Sequence, residues 1–204
     1  MMNLRRLIRH YRHKLNGFPG YNEDLWSRIV YLDKWTEALR TLGTADRDLL
    51  EISPGSVTRW FDLGFRSYRS VQYPDFDITR EALPEKFDVI IAEHVFEHLR
   101  HPYAAARHVR RMLRDDGVFL IATPFMIRIH REPHDYTRWT PEGLQGFLED
   151  CGFDATVSAW GNAPAVRANL PRWAEYGWGI TRTLRNEPDF PLVVWAIARP
   201  RRAP

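Results

Sequence analysis

The sequence predicts an α/β fold: a three-layer sandwich built on a mostly parallel sheet, with its last strand added antiparallel at or near an edge. Three observations predict it. Short apolar runs, bounded by glycine, proline and small polar residues, alternate with segments of helical spacing along most of the 204 residues. Residues 48–55, Asp-Leu-Leu-Glu-Ile-Ser-Pro-Gly, read as a buried strand that runs into a tight turn with an acidic side chain at its carboxyl end. Neither a repeat nor a low-complexity segment interrupts the alternation.

Taken in order, residues 4–15 and 25–42 read as helices forming an amino-terminal cover. The second starts after Asn22, stops at Gly43, and carries Trp26, Ile29, Val30, Leu32, Trp35, Leu39 and Leu42 near helical spacing. Leu49, Leu50 and Ile52 make the first strand, stopped by Ser53, Pro54 and Gly55. A short helix over 57–63 follows, ended by Gly64, and then a strand over 67–73. The next stretch is compressed, with 76–78 as a brief strand. Residues 87–92 form a buried strand through Val89, Ile90 and Ile91. Residues 95–113 read as mostly helical, broken at Pro102.

The turn Asp115-Asp116-Gly117 introduces a strand over 118–122 that Thr123-Pro124 closes. Thr140 is a natural N-cap and Pro141 suits the first helical position, so a helix runs from there to Asp150 and ends at Gly152. Strands over 153–160 and 192–198 complete the sheet, separated by an insertion rich in Arg and Trp. In such a sheet ligands bind at the carboxyl ends of the strands. Residues 51–56, 72–78, 92–98 and 123–138 are placed there, and they are the segments richest in polar and titratable side chains.

Composition narrows the class. Hydrophobic residues at 44% and charged residues at 27%, without an apolar run long enough to span a bilayer, predict a soluble globular chain with no stable membrane insertion. No signal peptide follows the basic Arg5 and Arg6, and the single cysteine, Cys151, excludes an internal disulfide and a cysteine-rich zinc site. A cytoplasmic setting is the expectation. The net charge of +3 is uneven, with Arg5, Arg6, Arg9, Arg12 and Lys14 at one end and Arg199, Arg201 and Arg202 at the other. Such ends suit an anionic partner or a solvated face.

Three segments in register with the strands carry a family resemblance: residues 50–55 (Leu-Glu-Ile-Ser-Pro-Gly), 87–99 (Phe-Asp-Val-Ile-Ile-Ala-Glu-His-Val-Phe-Glu-His-Leu) and 116–124 (Asp-Gly-Val-Phe-Leu-Ile-Ala-Thr-Pro). Together they resemble a class I S-adenosylmethionine-dependent methyltransferase of the type-11-like small-molecule kind. The resemblance implies a Rossmann-like three-layer sandwich, shortened between its second and fourth strands. It also implies S-adenosylmethionine as cofactor and methyl transfer to an O or N atom of a small molecule. RNA methylation and a noncatalytic interaction role are the alternatives.

Residue by residue, Glu51 resembles the acidic group that orients the cofactor's amino-acid moiety, and the backbone of Ser53, Pro54 and Gly55 would approach the cofactor. The family's Gly-x-Gly-x-Gly turn is replaced here by Ser53-Pro54-Gly55-Ser56, which lowers tolerance for positive φ. The ribose-binding position falls on Gln72, with Asp75 as the alternative; Asp77 and Ile78 resemble the segment that meets the adenine, and Glu93 and His94 line the pocket.

Substrate chemistry is expected on the loop over 130–139, where His130 or His134 would remove a proton and Asp135 would pair with Arg138 or orient His134. Tyr136, Arg138, Trp160, Asn162 and Arg167 are the substrate-binding candidates, in a loop and insertion able to clamp an anionic, sugar-like or planar acceptor. His94-Val95-Phe96-Glu97-His98 matches the H-x-x-E-H zinc pattern. It is also similar to the Glu-x-x-Glu-His segment on which some ubiquinone-pathway and small-RNA methyltransferases place a divalent ion. Its position after a buried strand, and His94 in place of the first carboxylate, lead to the expectation of no metal, with Glu97 and His98 capping and hydrogen bonding in the pocket wall.

The chain is thus expected to be a single domain over 1–204. Residues 1–45 are the helical cover, 46–160 the cofactor-binding core, 161–190 a roof over the substrate and 191–199 the last strand. Its partner would be a small molecule rather than nucleic acid, and a homo-oligomer is compatible with the sequence.

Overall fold

The computed structural model describes residues 25–55, 60–174, 176 and 183–202. The helix expected over 4–15, the Asn22 start and the basic amino-terminal cluster lie outside them. Helix α1 spans Trp26–Leu42 and ends where Gly43 turns to a φ of 72°. Strand β1, Asp48–Ile52, follows; Phe61–Leu63 is a single 3-10 turn, and Gly64 has a φ of 65°. Strand β2, Ser67–Val71, stops two residues short of the expectation. The brief strand expected over 76–78 is absent. Residues 72–86 are turns and extended chain, because Asp77 closes a local turn by accepting hydrogen bonds from the Thr79 amide and hydroxyl at 2.9 and 2.7 Å.

Strand β3 is Phe87–Glu93 and is followed by a 3-10 turn at Phe96–His98, then helix α2, Pro102–Met112. The helix expected from 95 is interrupted because Pro102 takes a first-turn position and holds His101 out of helical geometry, with ψ at 62°. Strand β4, Leu113–Pro124, is longer than expected. The Asp115-Asp116-Gly117 turn lies within it, beside a register shift where Phe87 pairs with Leu113 and Val89 with Val118. Helix α3, Pro141–Asp150, has Thr140 as its cap, and Gly152 turns out of it at a φ of 84°. Strand β5, Phe153–Trp160, helix α4, Ala163–Asn169, and strand β6, Val193–Pro200, complete the chain.

The six strands run β2-β1-β3-β4-β6-β5. The first four are parallel, while β6 is antiparallel to both β4 and β5 and so lies one strand in from the edge. Alternation along each strand sends its two faces into separate cores. Leu50, Ile52, Ile90, Ala92, Phe119, Ile121, Val194 and Ala196 pack with residues of α2 and α3. Leu49, Val89, Ile91, Leu120, Ala122 and Trp195 pack with α1, Trp60, Trp160 and Ala165 of α4. This is the three-layer sandwich, and its carboxyl edge gathers the ends of β1, β2, β3 and β4. No described helix is long and apolar enough to cross a membrane.

Candidate active site

The turn after β1 is fixed to the neighbouring strand end. The Ser53 amide donates to the Val71 carbonyl at 2.7 Å, and Ser53 adopts a φ of 51°. The left-handed conformation for which glycine is suited is therefore held by a serine. A side-chain atom built at Gly55 would meet nothing within 4 Å among the described residues.

By strand alternation Glu51 shares the α1 face with Leu49, and Glu93 shares it with Ile91. Glu51 is buried and accepts the Tyr68 hydroxyl at 2.7 Å. Glu93 accepts the Tyr31 hydroxyl at 2.9 Å and lies 3.2 Å from Arg28 Nε. Burial first, and then the charge of Glu93, push the Glu51 carboxyl above its ordinary range, against hydrogen bonds from Tyr68 and Trp60. Two carboxylates repelling each other on one face of the sheet, Glu51 buried and Glu93 half-buried, suit a cationic ligand, and S-adenosylmethionine carries both a sulfonium and an ammonium group. The donor set at this edge therefore fits that cofactor.

The other cofactor candidates divide. Gln72 and Asp75 are exposed just beyond β2, at the same edge. Asp77, by contrast, is held below the ordinary carboxylate range chiefly by the Thr79 hydroxyl, and its side chain closes the turn. Ile78 is a core residue, and its carbonyl pairs with His108 Nδ1 at 2.7 Å. His94, at a φ of 54°, lies at the end of β3 with Nδ1 3.5 Å from Glu97 and a buried Nε2 that has no hydrogen-bond partner.

In the loop after β4, Asp135 pairs with Arg138 through both carboxylate oxygens. It also accepts the His130 amide at 2.9 Å and faces His130 Nδ1 at 3.3 Å. Burial alone would raise the Asp135 pKa, but Arg138 and the His130 amide hold it below the usual range. Asp135 thus pairs with Arg138 and orients His130 rather than hydrogen bonding to the His134 ring. His130 is buried, and loss of hydration lowers its pKa and favours the neutral ring. His134 is exposed beside Tyr136, with ring centres 5.2 Å apart.

Two substrate candidates are built into the fold instead. The Asn162 side chain is wholly buried: its carbonyl oxygen caps α4 by accepting from the Ala165 amide, and its amide donates to the Thr183 and Arg185 carbonyls. Trp160 stacks on Trp26 with ring centres 5.9 Å apart and donates to the Leu184 carbonyl. Tyr136 and Arg167 are exposed, and Arg138 is partly so.

Sequence reasoning missed the relation between Glu97, His98 and His130, whose ligating atoms all lie within 4.8 Å of one another. The H-x-x-E-H motif was the available signal for the first two; nothing local connects them to His130. Concave surfaces lined by Leu42, Gly43, Arg47 and Asp88, and by Asp116, Asp154 and Arg199, lie at the amino ends of the parallel strands, away from these groups.

Comparison with known proteins agrees with this architecture. A family model described as a methyltransferase domain matches residues 27–154, more than half of the chain. A search of curated proteins found no match. An S-adenosylmethionine-dependent methyltransferase from Clostridium acetobutylicum superposes with a TM-score of 0.53 at 10% identity, covering 98% of this chain and 100% of its own. One from Mesorhizobium loti has a TM-score of 0.56 at 14% identity over 80% of this chain and 96% of its own. One from Archaeoglobus fulgidus has a TM-score of 0.55 at 14% identity over 94% and 99%. With the family match over more than half of its length, the chain belongs to the methyltransferase-domain family, and it shares the fold of these S-adenosylmethionine-dependent methyltransferases.

Proposed function

We propose that this methyltransferase acts on an O or N atom of a small, anionic or sugar-like acceptor presented to the loop after β4. The observation that carries the reading is the arrangement of the carboxyl edge. A buried carboxylate, Glu51, and a half-buried one, Glu93, suited to a cation, share the carboxyl edge with a loop bearing the exposed His134 and Tyr136 and the half-buried Arg138. S-adenosylmethionine, when bound, supplies a methyl group on a sulfonium leaving group.

The chain's own part is to hold, orient and exclude water. Glu51 and Glu93 would hold the cationic portion, the Ser53-Pro54-Gly55 backbone would lie along it, and Gln72 or Asp75 would meet the ribose. Both ring nitrogens of His130 face carboxylates, Asp135 and Glu97, so His134 is the better base for an acceptor that arrives protonated. Tyr136, Arg138 and Arg167 offer aromatic and cationic contacts to an acceptor bearing hydroxyls or negative charge. Residues 161–190 serve as a roof, a role supported by the edge of Trp173 against the His130 ring, with centres 5.1 Å apart, and by Arg128 donating to the Pro171 carbonyl at 2.9 Å. The setting that suits this chemistry is the cytoplasm.

Calorimetric titration with S-adenosylmethionine tests the cofactor site. Saturable binding is expected, with Glu51→Gln weakening it about tenfold, the equivalent of about 1.4 kcal/mol. No detectable heat at millimolar cofactor, from a folded chain, would sink the reading. His134→Gln should then lower kcat for a hydroxyl or ammonium acceptor while leaving cofactor affinity unchanged.

A further inference from the structure

Glu97 is completely buried, and neither of its carboxylate oxygens has a hydrogen-bond partner. A carboxylate sealed from water without donors is costly, so its surroundings must compensate it in another way. What surrounds Oε1 is imidazole. His94 Nδ1 lies at 3.5 Å, His98 Nε2 at 3.6 Å and His130 Nε2 at 3.7 Å. These separations exceed good hydrogen bonds. They match the spacing between donors that share one ion, because bonds of about 2.1 Å in tetrahedral geometry place their ligand atoms about 3.4 Å apart.

The far sides of two rings are organised in the manner of metal ligands. His98 Nδ1 pairs with the His134 carbonyl, and His130 Nδ1 faces Asp135 at 3.3 Å, so both rings turn Nε2 toward Glu97. Outer partners of this kind fix the tautomer and aim of a ligating histidine. Arg138 also comes within 3.4 Å of His130 Nδ1, but its guanidinium is committed to the Asp135 carboxylate.

We propose that Glu97, His98 and His130 bind one divalent first-row transition-metal ion of the zinc class. Two imidazoles and a carboxylate suit such an ion better than Mg²⁺, which prefers an all-oxygen shell. His94 reaches the same carboxylate oxygen but does not join the mutual cluster. Three protein ligands leave a coordination position for water or for a donor atom of the acceptor. The site stands on metal geometry alone, so its failure and the failure of the acceptor reading are separable.

The test uses the untagged full-length chain, stripped with chelator and titrated with Co²⁺ as a coloured probe. One Co²⁺ per chain is expected, with a visible d–d spectrum displaced by Zn²⁺ and not by Mg²⁺. His98→Gln and His130→Gln should each abolish that spectrum with unchanged circular dichroism, and Asp135→Asn should weaken affinity by about 10–100-fold. On the wild-type chain, which avoids any folding defect of a variant, Zn²⁺ should shift the side-chain ¹⁵N resonances of His98 and His130 at Nε2. A folded chain that takes up neither Co²⁺ nor Zn²⁺ overturns the site. So does a cobalt spectrum that survives both histidine substitutions, or a zinc shift confined to other histidines.

Discussion

The Tyr31 hydroxyl donates to the Glu93 carboxylate at 2.9 Å, joining the second turn of α1 to the carboxyl end of β3 across 62 positions of sequence. Tyr31 is fully buried and its ring lies against Trp35, so its position is set by the core and its hydroxyl by the site. Tyr31→Phe keeps the ring and removes a donor to a charged group. The expected loss is about 1.5 kcal/mol, near the low end for such bonds because Arg28 remains beside Glu93. For a chain of this size the melting temperature should fall by about 3–6 °C in calorimetry.

Ser53 gives the opposite expectation. A non-glycine residue at a φ of 51° carries a steric cost of roughly 1–2 kcal/mol, of which glycine's greater unfolded-state freedom offsets part. Ser53→Gly should therefore stabilise the fold by about 0.5–1 kcal/mol. A higher urea midpoint at unchanged slope would report it; a lower midpoint would mean that the serine side chain has a compensating role.

Gly161 has no such latitude. A Cβ there would sit 2.0 Å from the Phe190 carbonyl oxygen and 2.4 Å from the Leu192 nitrogen, backbone atoms that hold the approach to β6 against the end of β5. Gly161→Ala should cost about 3 kcal/mol or more, since overpacking against backbone cannot be relieved by a rotamer change. Chemical denaturation of the variant measures this directly.

At the opposite end of the sheet, Asp48 accepts hydrogen bonds from Arg66, Ser67 and Arg114. Arg66 is the largest cause of a carboxyl pKa held well below the usual range. A depressed native pKa favours folding at pH values above the unfolded value of about 4, and that contribution is lost as the pH falls toward the native value. The stability gap between wild type and Asp48→Asn should therefore be constant from pH 7 to about pH 5 and narrow below about pH 4. Urea midpoints across that range would show it; a gap that instead closes between pH 7 and 5 would assign the stabilisation to another group.

The elements legible in the sequence were those with local causes. Thr140 and Pro141 marked the start of α3, and the Thr140 hydroxyl accepts the Gly143 amide at 3.0 Å as an N-cap should. The Val89-Ile90-Ile91 run marked β3 because both of its faces are buried, leaving no polar alternation to confuse it. Asp135 and Arg138, one helical turn apart in number, could be paired on paper and are paired in space. What escaped depended on distant partners. Asn162 reads as a polar group in an aromatic insertion, and only the return of Thr183 and Arg185 shows that its amide is a structural clasp. Glu97 and His130 follow different strands, and the parallel pairing of β3 with β4 is needed to bring them together.

The position of β6 has a consequence for how the chain is made. This strand is synthesised after the five other described strands, yet it occupies the gap between β4 and β5, pairing Ile121 with Ala196 on one side and Val157 with the same Ala196 on the other. Until it leaves the ribosome, two hydrogen-bonding edges that are interior in the finished sheet stay unpaired, flanked by apolar faces. During that interval the nascent chain can offer those edges to a neighbour, so chaperone demand should track the delay between synthesis of β5 and of β6.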